Sequence, residues 1–142
     1  MMLIISQNIT DYELDFPKDT ILRINLAWCN SLDELESILK KNANHGIFVD
    51  LPIGRLKPPN NRYTLNEIIP ILERFDNIKF FAVSNVEDDM DLDEFVKLVP
   101  KNITIVPKIE SPNGVKNIDK IITKLEYDEK FVMLDHDDLF SN

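Results

Sequence analysis

The feature that most constrains this chain is its alternation of short, continuously apolar runs with stretches of helical period. Ile47-Phe48-Val49-Asp50-Leu51, Lys79-Phe80-Phe81-Ala82-Val83-Ser84 and Ile103-Thr104-Ile105-Val106-Pro107-Lys108-Ile109 have strand length and are rich in β-branched and aromatic residues. Leu3-Ile4-Ile5 and residues 21–28 precede them as expected strands, and residues 131–134 follow as the last. Between them, apolar residues recur every three or four positions. Leu32, Leu35, Ile38 and Leu39 form one such stripe; Leu65, Ile68, Ile69 and Leu72 form another. Residues 89–99 and 114–125, the latter with Val115, Ile118, Ile121 and Ile122, complete the set. Strands apolar on both faces need cover on both, and a strand–helix–strand order supplies it through parallel pairing and right-handed crossovers. The expected fold class is therefore α/β, with parallel strands and outer helices. It is either an open doubly wound sheet or part of a TIM-type (β/α) barrel of about six strands.

Local signals support these boundaries. Asn30 or Ser31 can cap the first helix, whose early turns hold Asp33, Glu34 and Glu36. Thr64 with Glu67 three residues on makes a capping box for the second, and Pro70 is placed to kink it. Lys57-Pro58-Pro59-Asn60-Asn61 reads as a loop. The acidic run Glu87, Asp88, Asp89, Asp91, Asp93 and Glu94 lacks the central glycine and spaced glutamate of a calcium-binding loop. It suits a helix start, where carboxylates meet the positive end of the dipole.

The chain has 142 residues, 44% of them hydrophobic and 29% charged, enough for one ordinary globular domain with a real core. Its net charge of −9 argues against nucleic acid as a partner, since phosphate binding needs a basic face. No apolar run approaches the ~20 residues of a membrane span, and Met1-Met2-Leu3-Ile4-Ile5-Ser6 lacks the basic start of a signal peptide. With a single cysteine, Cys29, and so no internal disulfide, the expected compartment is the cytoplasm. Neither histidine is near Cys29 in sequence, and it reads as a buried bystander thiol.

Functional groups of parallel α/β folds gather at the carboxyl ends of strands. Here each expected strand from the second onward ends in polar groups: Arg23 and Asn25; Asp50 and Arg55; Ser84 and Asn85; Lys108 and Glu110; residues 135–138. Lys108 and Glu110 lie two positions apart and so share one side of their strand. That pair is either a surface ion pair on a sheet edge or a cation and carboxylate placed to hold a divalent metal with its bound anion. Glu110 and an aspartate are hard oxygen ligands suited to Mg²⁺, and Arg23 and Arg55 can fork onto a carboxylate or phosphate.

Taken in order, Arg23-Ile-Asn25, Val-Asp50-Leu-Pro-Ile-Gly54-Arg55, Phe-Phe-Ala-Val-Ser84, Val-Pro-Lys108-Ile-Glu110, Gly114-Val-Lys-Asn-Ile-Asp and Asp138-Leu139 resemble the pyruvate kinase barrel from its first strand to its sixth. The Lys-Ile-Glu strand and the helix after it are the specific part. The wider phosphoenolpyruvate/pyruvate barrel group, with citrate-lyase-type and acid-aldolase enzymes, has a similar strand and later Asp-Leu. The resemblance implies a Mg²⁺-dependent transferase (Mn²⁺ substituting) acting on phosphoenolpyruvate, pyruvate or a related 2-oxo acid. By it, Lys108 is catalytic and stabilises charge on the phosphoryl group or enolate. Glu110 and Asp138 ligate Mg²⁺, with Asp135 or Asp137 as register alternatives. Arg23, Arg55 and Ser84 bind substrate, and Asn25 and Asp50 help bind a monovalent cation such as K⁺. A carbon–carbon lyase, or a non-catalytic barrel relic that binds a partner, are the competing readings.

Departures from that family shape the remaining expectations. Ala27 stands where the family has a serine, which weakens the K⁺ site. The family's Arg-Gly-Asp-Leu-Gly loop appears as His136-Asp137-Asp138-Leu139-Phe140, without arginine or glycines. Arg55 to Tyr63 is a short loop where the family inserts a lid domain, and strands seven and eight are absent. Residues 1–142 are thus expected to be a single incomplete barrel domain, a piece of a longer protein. Its first and last strands would have open edges, so it is expected to associate with further copies or with the rest of its parent.

Overall fold

In the computed structural model, which describes residues 2–6 and 15–140, six strands form a parallel sheet in chain order. They are β1 (Leu3–Ser6), β2 (Thr20–Asn25), β3 (Gly46–Leu51), β4 (Ile78–Val83), β5 (Thr104–Ile109) and β6 (Met133–Leu134). Helix α1 (Leu32–Lys41) follows β2, α2 (Leu65–Arg74) follows β3, and α3 (Asp93–Leu98) follows β4. After β5 come α4 (Pro112–Lys116) and α5 (Ile118–Lys124), and after β6 comes α6 (His136–Leu139). Each strand pairs in parallel with the next, and the sheet curls into a half-barrel with its helices on the outside.

The two-residue period of the strands divides the side chains between two cores. Leu22 and Ile24, Ile47, Val49 and Leu51, Phe81 and Val83, and Ile105 and Ile109 face outward and join Leu35, Leu39, Ile68, Leu72 and Ile121 of the helices. The opposite parity faces inward, where Phe48, Phe80, Ala82 and Val106 form a smaller cluster with Ile21, Phe131 and Met133 against it. Arg23, Asn25, Asp50 and Lys108 share that inward parity, one or two steps further toward the carboxyl ends. Ser84 and Glu110 extend it just beyond β4 and β5. The inner face is thus apolar in its amino half and ionisable in its carboxyl half, and that places the site.

One irregularity keeps β4 in phase. Ile47 pairs with Ile78, but Phe48 pairs with Phe80, so Lys79 is an extra residue in the ladder. Without that bulge, Ile78 and Phe81 could not both point outward. Capping follows chemical expectation. The Ser31 hydroxyl accepts from Glu34 N–H at 3.1 Å. The Glu67 carboxylate accepts from both the backbone N–H and the hydroxyl of Thr64, each at 2.8 Å. Pro70 lies inside α2 without ending it.

Several expected elements are shorter or divided. β2 stops at Asn25, whose side chain accepts from Ala27 N–H at 3.0 Å and turns residues 26–28 into a 3₁₀ turn. Residues 89–99 split into a 3₁₀ turn, Asp89–Leu92, and α3. The Asp91 carboxylate there accepts from the N–H groups of Glu87 and Asp88, so the acidic run serves as a helix start. The helix expected over 114–125 divides at Asn117, whose side-chain amide donates to the Glu87 carbonyl at 2.8 Å. Of residues 131–134, only Met133 and Leu134 pair. Phe131 instead meets Phe80 edge-on, with ring centroids 5.5 Å apart. β1 pairs with β2 alone among the described strands, and its Leu3 and Ile4 are exposed. No helix of the described residues is long and apolar enough to cross a membrane.

Gly114 is required by close approach. A Cβ there would lie 2.7 Å from the Val86 carbonyl oxygen and 3.0 Å from Cγ2 of Ile109. Alanine has the better helix propensity by ~1 kcal/mol, yet overpacking against fixed backbone costs about 1–3 kcal/mol. Gly114→Ala is therefore expected to lower stability in urea denaturation. A neutral or stabilising change would show that α4 does not pack this closely on the end of β5.

Candidate functional site

The ionisable half of the inner face opens into a cavity of about 530 Å³. Four basic side chains (Arg23, Arg55, Lys57, Lys108) and four acidic ones (Glu110, Asp135, Asp137, Asp138) line it. Its walls are the ends of β2, β4 and β5, the loop after β3 from Pro52 to Lys57, and the segment around α6.

Lys108 is the centre. Its side chain is only 5% exposed, so its ammonium needs partners to replace water. Glu110 Oε1 lies 3.1 Å from Nζ, Asp50 Oδ2 3.5 Å and Asp135 Oδ2 3.7 Å. The ammonium also donates to Ser84 Oγ at 3.3 Å. Asp50, fully buried, is shared: Arg23 forms a hydrogen-bonded ion pair with the same Oδ2. Arg23 also donates to Ser6 Oγ at 2.6 Å, which ties β1 to β2 and β3.

Glu110 is held at both oxygens. Oε1 faces Lys108, and Oε2 accepts the backbone N–H of Asn85 at 2.6 Å. Carboxylate oxygens of Glu110, Asp135 and Asp138 lie within 4.8 Å of one another. Asp135 also caps α6, accepting from Asp138 N–H at 3.5 Å. Asp137, its side chain 96% exposed, lines the rim of the cavity but is not part of that carboxylate group. Lys57 reaches across from the loop after β3 to Asp138 Oδ1 at 2.7 Å. That contact raises the Lys57 pKa, with Asp137 and Asp135 adding to the effect.

The structure brings Lys108, Glu110, Asp138, Asp50, Arg23 and Ser84 into one network, and sets Asn25 and Arg55 in the same cavity wall. Arg23 is engaged by Asp50 and Ser6, whereas Arg55 spends only its Nε, on the Pro59 carbonyl at 2.9 Å. Its terminal amino groups have no hydrogen-bond partner among the described residues. Asn25 uses its side-chain oxygen as a turn cap, and Asp50 already meets two cations. Both cations meet Asp50 at Oδ2, and its buried Oδ1 has no hydrogen-bond partner among the described residues. The set Glu110, Asp135 and Asp138 does fit a hard divalent cation, by donor type and mutual distance.

Lys57 and Asn85 carry roles that the sequence does not mark. Lys57 sits in a proline-rich loop, and Asn85 acts through its backbone. Cys29 lies outside the site, in the outer core, where burial and the Glu34 charge push its thiol up to about 12. Its carbonyl accepts from the Tyr63 hydroxyl at 2.7 Å.

Fold and site together define a parallel α/β half-barrel with a buried lysine–carboxylate cluster at the carboxyl ends of its strands. No protein-family model matches the chain. It is 28% identical over 123 residues to protein disulfide isomerase-like 1-4 of Arabidopsis thaliana, a match covering 81% of this chain and 20% of that protein. In fold it is similar to RipC from Yersinia pestis, with a TM-score of 0.51 at 16% identity. That likeness covers 84% of this chain and 53% of RipC. The chain thus spans about a fifth of the plant relative and about half of RipC.

Burial sets the energetic ranking of these ion pairs. Asp50→Asn would leave the largely buried Arg23 and Lys108 short of their shared counter-charge. Breaking a buried pair from one side costs about 3–5 kcal/mol. Lys57→Ala removes an exposed pair that water and salt already screen. Thermal unfolding is expected to show a large drop for the first and none for the second, and equal effects would contradict the buried network.

Proposed function

We propose that this chain carries an enolate-stabilising site of the pyruvate kinase type, acting with Mg²⁺ or Mn²⁺ on phosphoenolpyruvate, pyruvate or a related small 2-oxo acid. The observation that carries this reading is a buried lysine among the carboxylates of Asp50, Glu110 and Asp135, the last two of which form with Asp138 a set of three hard-oxygen donors at the carboxyl ends of parallel strands. A divalent ion held by Glu110 and Asp138, with Asp135 as third donor, would polarise the substrate oxygens it touches. Lys108 supplies a fixed positive charge where an enolate oxygen develops negative charge, and its carboxylate frame spares the cost of reorienting at that moment. Arg55, with its terminal amino groups unspent, binds the substrate carboxylate or phosphate.

Phosphoryl transfer through enolpyruvate is the first form of this reading, with this part of the protein as a partial TIM-type barrel. Arg23, expected to hold phosphate, is committed to Asp50 and Ser6. That observation favours a second form, carbon–carbon cleavage of the citrate-lyase or acid-aldolase kind, which needs no phosphate clamp. The relic reading draws on the α6 turn, where Asp135 already occupies the Asp138 N–H that a glycine-rich loop would offer to substrate. Disulfide exchange, which the plant relative's name describes, is not carried over. It needs an accessible low-pKa thiolate, and the lone Cys29 is buried with its pKa raised. A cytoplasmic location, and association through β1 and β6, belong to the same proposal.

Glu110→Gln is expected to abolish Mn²⁺ binding in calorimetry, and equal affinity in both proteins would sink the ligand assignment. The intact protein should exchange the methyl protons of pyruvate with solvent in the presence of Mg²⁺. Lys108→Met should slow that exchange by roughly 10²–10³-fold, the loss typical of a preorganised charge. No exchange across a panel of 2-oxo acids would favour the relic. Sedimentation at low micromolar concentration tests association, which a single well-folded monomer would refute.

A further inference from the structure

Asn85, two residues past the end of β4, is the one non-glycine residue with positive φ among the described residues, at 56°. Left-handed backbone is disfavoured for L-residues, asparagine less than most, and clusters where a function over-determines it. Two hydrogen bonds use the conformation. The backbone N–H donates to Glu110 Oε2 at 2.6 Å, and Nδ2 donates to the Ile53 carbonyl at 2.8 Å. The following residue, Val86, donates its N–H to the Lys108 carbonyl at 3.2 Å, which fixes this turn to β5. On the other side stands Gly54, also left-handed at φ 76°, where a Cβ would lie 3.1 Å from Asn85 Nδ2. Two left-handed residues from adjacent strand ends therefore meet over the rim of the cavity.

We propose that Asn85 is a positioning residue. Its backbone orients the Glu110 carboxylate for a divalent cation, and its side chain ties the loop bearing Arg55 and Lys57 to the same point. This rests on the metal reading of the preceding subsection. With Lys108 on Oε1 and Asn85 on Oε2, the plane of the Glu110 carboxylate is set before any ligand arrives. Outer partners of this kind typically account for about 10–100-fold in metal affinity. The side-chain bond to Ile53 joins the cation end of the site to the substrate-binding loop.

Two variants separate the two halves of the role. Asn85→Gly keeps the left-handed backbone and its N–H but loses the tie to Ile53. Asn85→Ala loses the tie and penalises the backbone conformation as well. Mn²⁺ affinity of the intact protein, by calorimetry, is expected to fall about tenfold or more in Asn85→Ala and to stay close to wild type in Asn85→Gly. Equal loss in both, or none in Asn85→Ala, would overturn the positioning of Glu110. Trypsin should cut after Arg55 several-fold faster in Asn85→Gly, and unchanged cleavage would overturn the loop tie. A measurement without metal keeps this distinct from the metal reading. The Asn85 amide proton should be shifted downfield and slow to exchange in NMR, and should move upfield in Glu110→Gln. A freely exchanging amide indifferent to Glu110→Gln would overturn the proposal. If wild type binds no Mn²⁺, the metal reading fails, and the amide measurement alone decides whether Asn85 orients Glu110.

Discussion

The buried ammonium of Lys108 is the constraint on which the carboxyl half of this structure depends. An unpaired charge in that position would be costly to bury, and three carboxylates and a hydroxyl from β3, the end of β4, the end of β5 and the start of α6 converge on it. Those contacts pull the strand ends together, and Arg23 extends the network through Asp50 and Ser6 to β1. Arrangements like this add little net stability over an apolar core of the same shape. On the proposed function their worth lies in a fixed field, in which the carboxylates gathered around one lysine would also hold a second, more highly charged cation.

The inner face of the sheet shows how one strand pattern yields both a core and a site. Phe48, Phe80, Ala82 and Val106 close the amino half, and the same parity continues into Asp50, Ser84 and Lys108. The chain reaches this with the two-residue period alone, corrected once by the bulge at Lys79. The hydrophobic cluster supplies a rigid floor, and the ionisable groups sit above it where the strands end.

Much of the fold was legible in the sequence because continuous apolar strands and helical stripes leave few alternatives. The shared side of Lys108 and Glu110 followed from the strand period, and the gathering of Arg23, Asn25, Asp50, Lys108 and Glu110 at one end followed from the parallel α/β order. Other features were hidden for physical reasons. Around α6, a strand of only two residues sets no firm register, so the sequence left Asp135 and Asp137 as alternatives to Asp138 beside Glu110, whereas both Asp135 and Asp138 lie near it. The engagement of Arg23 by Asp50 depends on cross-strand register, Asn25 with Asp50 and Arg23 with Phe48, which no local pattern encodes. Asn85 acts through a dihedral angle, and the Lys57 contact spans 81 residues of chain.

On the proposed function, Glu110, Asp135 and Asp138 would form a divalent-cation site beside the Lys108 ammonium. A crystal of the protein soaked with Mn²⁺ and oxalate, a planar mimic of enolpyruvate, tests it most directly. The account predicts one anomalous peak ligated by Glu110 and by Asp138 or Asp135, with oxalate on the ion and within hydrogen-bond reach of Lys108 Nζ. Ordered crystals in which Mn²⁺ is absent from these carboxylates, or bound only at surface acids such as Asp89 and Asp93, would contradict it.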